Sequence, residues 1–173
     1  MYKKKPFLIV FEGVEGCGKS YQSQKLIRSL KKKGINPILT REPGGTRSAE
    51  SIRTLILKDY FNKGKEEKFD KYTDTLLYLA ARNEHIKNKI EPALKRKKVV
   101  ICDRFIDSTI AYQVYGKKVN RSFIDNIHKF ILQGIKPNLV FILKVSSKSS
   151  KLRLKKRKTK NRYDNFSQSF YTK

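Results

Sequence analysis

The 173-residue chain carries a formal net charge of +26, and 38% of its residues are hydrophobic. That length suits one domain with a packed core, and no apolar run reaches the roughly 18–20 residues needed to cross a bilayer. The two cysteines, Cys17 and Cys102, each fall inside a motif described below, which argues against a structural disulfide and for a cytoplasmic setting. The excess of positive charge points to a polyanionic partner or to a phosphate-handling enzyme with a lysine-rich solvent face. The second reading is preferred, because lysine runs such as Lys31-Lys32-Lys33 and the basic stretch from Lys95 to Lys98 end helical patterns, where they complement the helix dipole.

In chain order, Phe7 to Phe11 is a continuous apolar run, as expected of a strand buried on both faces of a parallel sheet. A Gly-rich break from Gly13 to Gly18 leads into a helical pattern from about Lys19 to Lys33, with Leu26, Ile27 and Leu30 on one face and Gly34 as its stop. Pro37 to Thr40 reads as a second strand ending in the turn Glu42-Pro43-Gly44-Gly45, and helical spacing resumes from Ser48 to Lys58. The polar segment from Tyr60 to Lys71 reads as a loop. A long helix is expected from about Tyr72 to Ile90, with Leu76, Leu79, Ala80, Ile86 and Ile90 near one stripe. Val99 to Cys102 and Leu139 to Leu143 read as a third and a fourth buried strand, separated by helices near Asp107 to Tyr115 and Arg121 to Leu132. A basic helical segment follows Ser146. This alternation implies an α/β fold, a doubly wound parallel sheet in three layers with right-handed crossovers.

Gly13-Val14-Glu15-Gly16-Cys17-Gly18-Lys19-Ser20 fits the P-loop pattern G-x-x-x-x-G-K-[ST]. Glycines let the backbone wrap a diphosphate with its N–H groups turned inward beside a helix N-terminus. Lys19 is placed to reach the β- and γ-phosphates of ATP, and the Ser20 hydroxyl to bind Mg²⁺. The loop follows an apolar strand and opens a helix, which is the context the motif requires. Asp103, at a strand end, is a second candidate for Mg²⁺, with a salt bridge to Arg104 as the competing reading. Cys17 reads as a small residue at a variable loop position. His85 and His128 have no convergent partners visible in the sequence.

Phe11-Glu12-Gly13-Val14-Glu15-Gly16, then Arg41-Glu42-Pro43-Gly44-Gly45-Thr46, then Asp103-Arg104-Phe105 leading to Ala111-Tyr112-Gln113, stand in the order and spacing of thymidylate kinase signatures. The chain resembles that family over nearly its whole length. The resemblance implies phosphorylation of dTMP by Mg-ATP, a cis bond before Pro43 and a homodimer packed through helices. It implies that Arg104 forks onto the acceptor phosphate, with Arg53 and Arg41 around the same pocket. Tyr78 and Arg82, spaced i, i+4, match an aromatic that stacks on thymine and an arginine that donates to its O4. Thr109 and Gln113 would meet the pyrimidine edge, Tyr112 would crowd the sugar 2′ position, and Glu15 would accept from the 3′-hydroxyl.

Gly16 stands where some members carry a P-loop arginine, so the chain resembles the type that supplies arginine from a mobile lid. Arg153, Arg157 and Arg162 are the candidates, Arg157 and Arg162 the preferred pair, within a lid around residues 148–165 of a single P-loop kinase domain spanning 1–173. Asn161-Arg162-Tyr163-Asp164 departs from the family's lid segment at both flanking acids, and Lys144 stands where the family usually has Asp. The family continues into a further strand and helices, so the sequence is expected to be C-terminally truncated. Two other readings stay open: a kinase for another nucleoside monophosphate, and a basic nucleic-acid-binding protein on a degenerate P-loop fold. No specific nucleic-acid module and no membrane segment is expected.

Overall fold

The computed structural model describes residues 5–57 and 69–156. Four strands, β1 (Phe7–Gly13), β2 (Ile38–Arg41), β3 (Val99–Asp103) and β4 (Leu139–Leu143), form one sheet in the order β2-β3-β1-β4. Every pairing is parallel. The central strands alternate strictly. Leu8, Val10, Val100 and Cys102 enter a core on one face, while Ile9, Phe11, Val99 and Ile101 enter a second core on the other. A period of two with both faces covered is why these strands read as unbroken apolar runs.

Helix α1 (Lys19–Lys32) covers the second core through Leu26, Ile27 and Leu30. Helices α3 (Lys71–His85) and α6 (Arg121–Leu132) belong to the other side, with Leu79, Ile124 and Ile131 in the larger core, and α2 (Arg47–Leu57) packs against α3. Asp70 caps α3 by accepting from Tyr72 N–H at 2.7 Å, and Asn120 caps α6 through Ser122 N–H at 2.8 Å. The helix begun by α3 does not stop at Ile90. It widens into a π-helical turn at Ile86–Ile90 and continues as α4 (Glu91–Lys95). Pro92 cannot donate to the preceding turn, and a π-turn just before it absorbs the mismatch. A second π-turn, Ile110–Gly116, extends the short α5 (Ile106–Thr109).

Two expectations are corrected. The buried face of α3 does not carry Leu76 and Ala80, which are exposed. Leu79 is buried as expected, as are Ile86 and Ile90 in the turn that follows, but Thr75, Arg82 and His85 are buried beside them, because the helix lies over a polar floor as well as a core. Strand β4 is apolar but not buried: Ile142 is 67% exposed, since β4 is the edge strand and pairs only with β1. Among the described residues no helix is long and apolar enough to cross a membrane. The lysines at 31–33 and the basic residues 95–98 are exposed at helix ends.

The turn after β2 is fitted tightly against α3. Gly45 has φ +92°, and a β-carbon there would lie 2.5 Å from Thr40 Oγ1 and 2.6 Å from His85 Nε2. Gly45→Ala is therefore expected to destabilise the fold by about 2–4 kcal/mol, combining left-handed strain with overpacking. Urea unfolding midpoints would show it, and a midpoint equal to wild type would refute the fit.

Candidate active site

The end of β1 runs directly into the phosphate loop, and the approach is close. A β-carbon on Gly13 (φ +139°) would lie 2.5 Å from the Leu143 carbonyl oxygen of β4. Only glycine fits between these strands. Gly18, at φ 101°, hands the chain into α1, whose first residues are Lys19 and Ser20. The Lys19 ammonium spans the loop, donating to the carbonyls of Gly13 and Val14 at 2.9 Å each and to Cys17 Sγ at 3.6 Å. Burial lowers the Lys19 pKa from the ordinary lysine value, and the nearby Arg104 cation lowers it further. Cys17 and Cys102 are both buried free thiols.

Ser20 Oγ donates to Asp103 Oδ2 at 2.7 Å, so the end of β3 faces the start of α1. The expected competitor, a pair between Asp103 and Arg104, is not what forms. Arg104 turns the other way, Nη2 lying 2.8 Å from Glu15 Oε1. Its Nη1 donates to Gly13 O at 3.2 Å and Ser108 Oγ at 2.9 Å. The contact to Glu15 is an ion pair without hydrogen-bond alignment, so Nη2 is buried with no aligned acceptor. Arg104 also sits at φ 71°, a left-handed conformation that costs a non-glycine residue about 1–3 kcal/mol. Its amide is fixed by donation to Phe11 O at 2.9 Å, and its guanidinium carbon lies 5.4 Å from the Tyr112 ring centroid.

A residue that sequence reasoning gave no role holds this turn. Glu12, 4% exposed, accepts from Phe105 N–H at 2.8 Å and Ser108 N–H at 3.2 Å through one oxygen, and from Ser108 Oγ at 2.6 Å through the other. With its partners on the β3–α5 turn, Glu12 sets where Arg104 points. Glu50 is a second such residue. It accepts from Arg41 Nη2 at 3.3 and 3.1 Å and from Gly45 N–H at 2.9 Å, with Arg53 Nε at 4.0 Å. Arg53 Nη1 donates to Pro43 O at 2.6 Å, and the Glu42–Pro43 peptide is cis.

The two histidines do converge, which corrects the sequence reading. His85 is fully buried, with Nδ1 3.1 Å from Glu42 Oε1 and Nε2 2.6 Å from Thr40 Oγ1. Glu42 Oε2 takes Arg82 Nε at 2.8 Å, and Arg82 Nη2 donates to Phe105 O at 2.8 Å. His128, on α6, lies with Nε2 2.8 Å from Arg82 Nη1. Arg82 can only donate, so His128 Nε2 must be an acceptor and the ring neutral. Partners 43 and 46 residues apart left no local signal in the sequence.

Above these buried contacts lies a cleft of about 370 Å³, lined by Glu42 and Arg82 but not by either histidine. Its lining includes Lys19, Ser20 and Asp103, the charged side chains of Glu15, Arg41, Arg53 and Arg104, and Tyr78, Arg82, Thr109, Tyr112 and Gln113. The structure thus brings together every predicted acceptor-site residue. Helix α7 (Ser147–Lys155) closes over the phosphate loop: Ser150 Oγ donates to Glu15 O at 2.6 Å, and Arg153 Nη1 to Gly16 O at 3.1 Å. Arg157 and Arg162 lie outside the described residues, as does the second half of the lid expected at 148–165.

A parallel sheet ending in a phosphate loop, with an arginine-lined cleft beside it, defines the chain as a P-loop phosphotransferase. Residues 11–173 match the family model described as thymidylate kinase. The chain is 44% identical over 168 residues to the thymidylate kinase of Wolbachia sp. subsp. Brugia malayi, covering 95% of this chain and 76% of that protein. It is 41% identical over 165 residues to the thymidylate kinase of a Geobacillus species, covering 94% and 76%. The crystal structure of thymidylate kinase from Ehrlichia chaffeensis superposes with a TM-score of 0.73 at 40% identity, covering 86% of this chain and 82% of that one. The chain belongs to the thymidylate kinase family.

Burial pulls the His128 pKa from 6.5 down to about 4, and the Arg82 cation adds to the effect. The folded state therefore refuses a proton that the unfolded chain accepts. The stability that neutral His128 contributes is complete above pH 6.5 and is lost as pH falls towards about 4. His128→Gln keeps an acceptor for Arg82 but cannot titrate. Urea titrations across that window should show a steeper loss in wild type than in the variant; equal slopes would contradict the assignment.

Proposed function

We propose that this chain transfers the terminal phosphoryl group of Mg-ATP to dTMP, releasing ADP and dTDP. The observation that carries the reading is a cleft whose lining joins the phosphate loop to the Arg104–Glu15 pair and to Tyr78, Arg82 and Gln113. Lys19 would bind the transferring phosphates. Arg104 offers a buried nitrogen without an aligned acceptor, suited to a phosphate oxygen. Arg53 and Arg41, pinned by Glu50 and the Pro43 carbonyl, add fixed positive charge at the same place.

Ser20 and Asp103 fit a magnesium ion, being two oxygen donors already within 2.7 Å of each other. Bound there, Mg²⁺ would neutralise charge on the nucleotide phosphates. Tyr78 would stack on the base and Arg82 would donate to its O4. Three of the Arg82 nitrogens are already engaged, yet Nη1 carries two hydrogens and His128 takes only one. Glu15 would meet the 3′-hydroxyl, Tyr112 the sugar and Thr109 the pyrimidine edge. The lid arginines Arg157 and Arg162 would reach the migrating group from residues 148–165, with Arg153 already beside Gly16. We read 1–173 as one such domain. Exposed apolar side chains on α3 and α6, Leu76 and Phe130 among them, support pairing of two copies through helices.

A kinase for another nucleoside monophosphate is the nearest rival. A coupled ADP-release assay with Mg-ATP and separate dTMP, dUMP, dCMP, UMP and AMP distinguishes them, with dTMP expected to be fastest. Lys19→Ala should abolish transfer while leaving dTMP binding largely intact. Arg82→Ala should erode discrimination among pyrimidines, and unchanged thymine selectivity would reject its role at O4.

A further inference from the structure

Behind Gln113 on the cleft wall lies a buried carboxylate that does not itself line the cavity. Asp74, in the first turn of α3, is 0% exposed and does not line the cleft. Its Oδ2 lies 2.6 Å from Lys117 Nζ, just past the π-turn that carries Gln113. The same oxygen accepts from Gln113 Nε2 at 3.5 Å. Lys71 Nζ donates to Lys118 O at 3.0 Å, a second tie between the start of α3 and this segment.

A carboxylate can only accept, so it dictates which end of a neighbouring amide turns towards it. With its nitrogen drawn to Asp74, Gln113 has its carbonyl oxygen left for the cleft it lines. Reversal of the amide would set an oxygen against the carboxylate. Lys117 pairs with the same carboxylate at 2.6 Å and so fixes its position beside Gln113. Elsewhere on the same lining, Glu42 and His128 hold Arg82, which can only donate. The base thus meets one preset donor and one preset acceptor. That pattern fits a pyrimidine with a 4-oxo group and an N3–H, and mismatches cytosine, which has a 4-amino group and a bare N3.

We propose that Asp74, held by Lys117, is a positioning residue that selects the base by orienting the Gln113 amide. The proposal rests on the dTMP reading above. The test compares dTMP with 5-methyl-dCMP, which has the same shape and differs only at positions 3 and 4 of the ring. In wild type dTMP should be strongly preferred. In Asp74→Asn, whose own amide can donate as well as accept, the ratio of kcat/KM between the two should fall about tenfold, largely through the KM for dTMP. The KM for ATP should stay unchanged. Asp74→Glu should recover part of the ratio. Lys117→Met, at the partly exposed end of the pair, removes the cation that holds Asp74 in place and should move the ratio the same way.

A merely structural role would lower both acceptors together. An unchanged ratio in whichever of Asp74→Asn and Lys117→Met folds, judged by circular dichroism, would overturn the proposal while leaving the dTMP reading intact. ADP release from wild type with neither acceptor would overturn both.

Discussion

Under the cleft, Glu42 and Arg82 meet with side chains each 4% exposed. Removing two such charges from water costs several kcal/mol per ion, which only close geometry and full hydrogen bonding can offset. Both conditions are met here. Glu42 is engaged by Arg82 and His85, and Arg82 by Glu42, His128 and the Phe105 carbonyl. Those partners come from the end of β2, from α3, from α6 and from the turn after β3. The pair therefore fixes four elements relative to one another, and each of them also supplies or adjoins a wall of the cleft. Glu42 stays ionised despite burial, which alone would raise its pKa, because Arg82 and His85 together lower it.

The phosphate end follows the same logic with the signs exchanged. Arg104 is held by Glu15, Ser108 and the Gly13 carbonyl, and its unusual backbone conformation is maintained by Glu12 beneath the following turn. Burial works against its charge, yet Glu15, Tyr112 and the other acids nearby hold its pKa above the ordinary arginine value. Cations already oriented in this way need little reorganisation when a phosphate arrives, which is where electrostatic catalysis gains most. The cleft is therefore preset at both ends: fixed cations for phosphate, and fixed donor and acceptor groups for a base.

The parallel sheet and its helices were legible in the sequence because the central strands carry unbroken apolar runs and the phosphate loop has a spacing of its own. The acceptor-site residues were legible through the resemblance, and Arg104, Arg82 and Gln113 all reach the cleft. What holds them there was not. Periodicity counts apolar side chains, and the face of α3 that looks inward is built from Thr75, Arg82 and His85, so Leu76 and Ala80 drew the stripe to the wrong side. Edge position hid the exposure of β4, since an apolar run reads the same with one neighbour as with two. His85, His128, Glu12 and Asp74 act through contacts between distant segments, and no local pattern marks such pairs.

The distribution of positive charge bears on which kind of polyanion the molecule handles. Among the described residues the cleft is lined by one lysine, Lys19, and five arginines, Arg41, Arg53, Arg82, Arg104 and Arg153. The exposed runs at 31–33 and 95–98 are instead almost entirely lysine. Lysine on a solvated helix end is a flexible, strongly hydrated point charge, with little geometric preference for any one anion. The planar guanidinium has a fixed fork that discriminates by shape, and all five are held by acids or carbonyls within the molecule. A surface selected for binding nucleic acid would be expected to present its oriented arginines outwards along the backbone track. Here the cleft gathers five held arginines, while the exposed charge at 31–33 and 95–98 is mostly lysine, which favours a small phosphate ester as the bound anion.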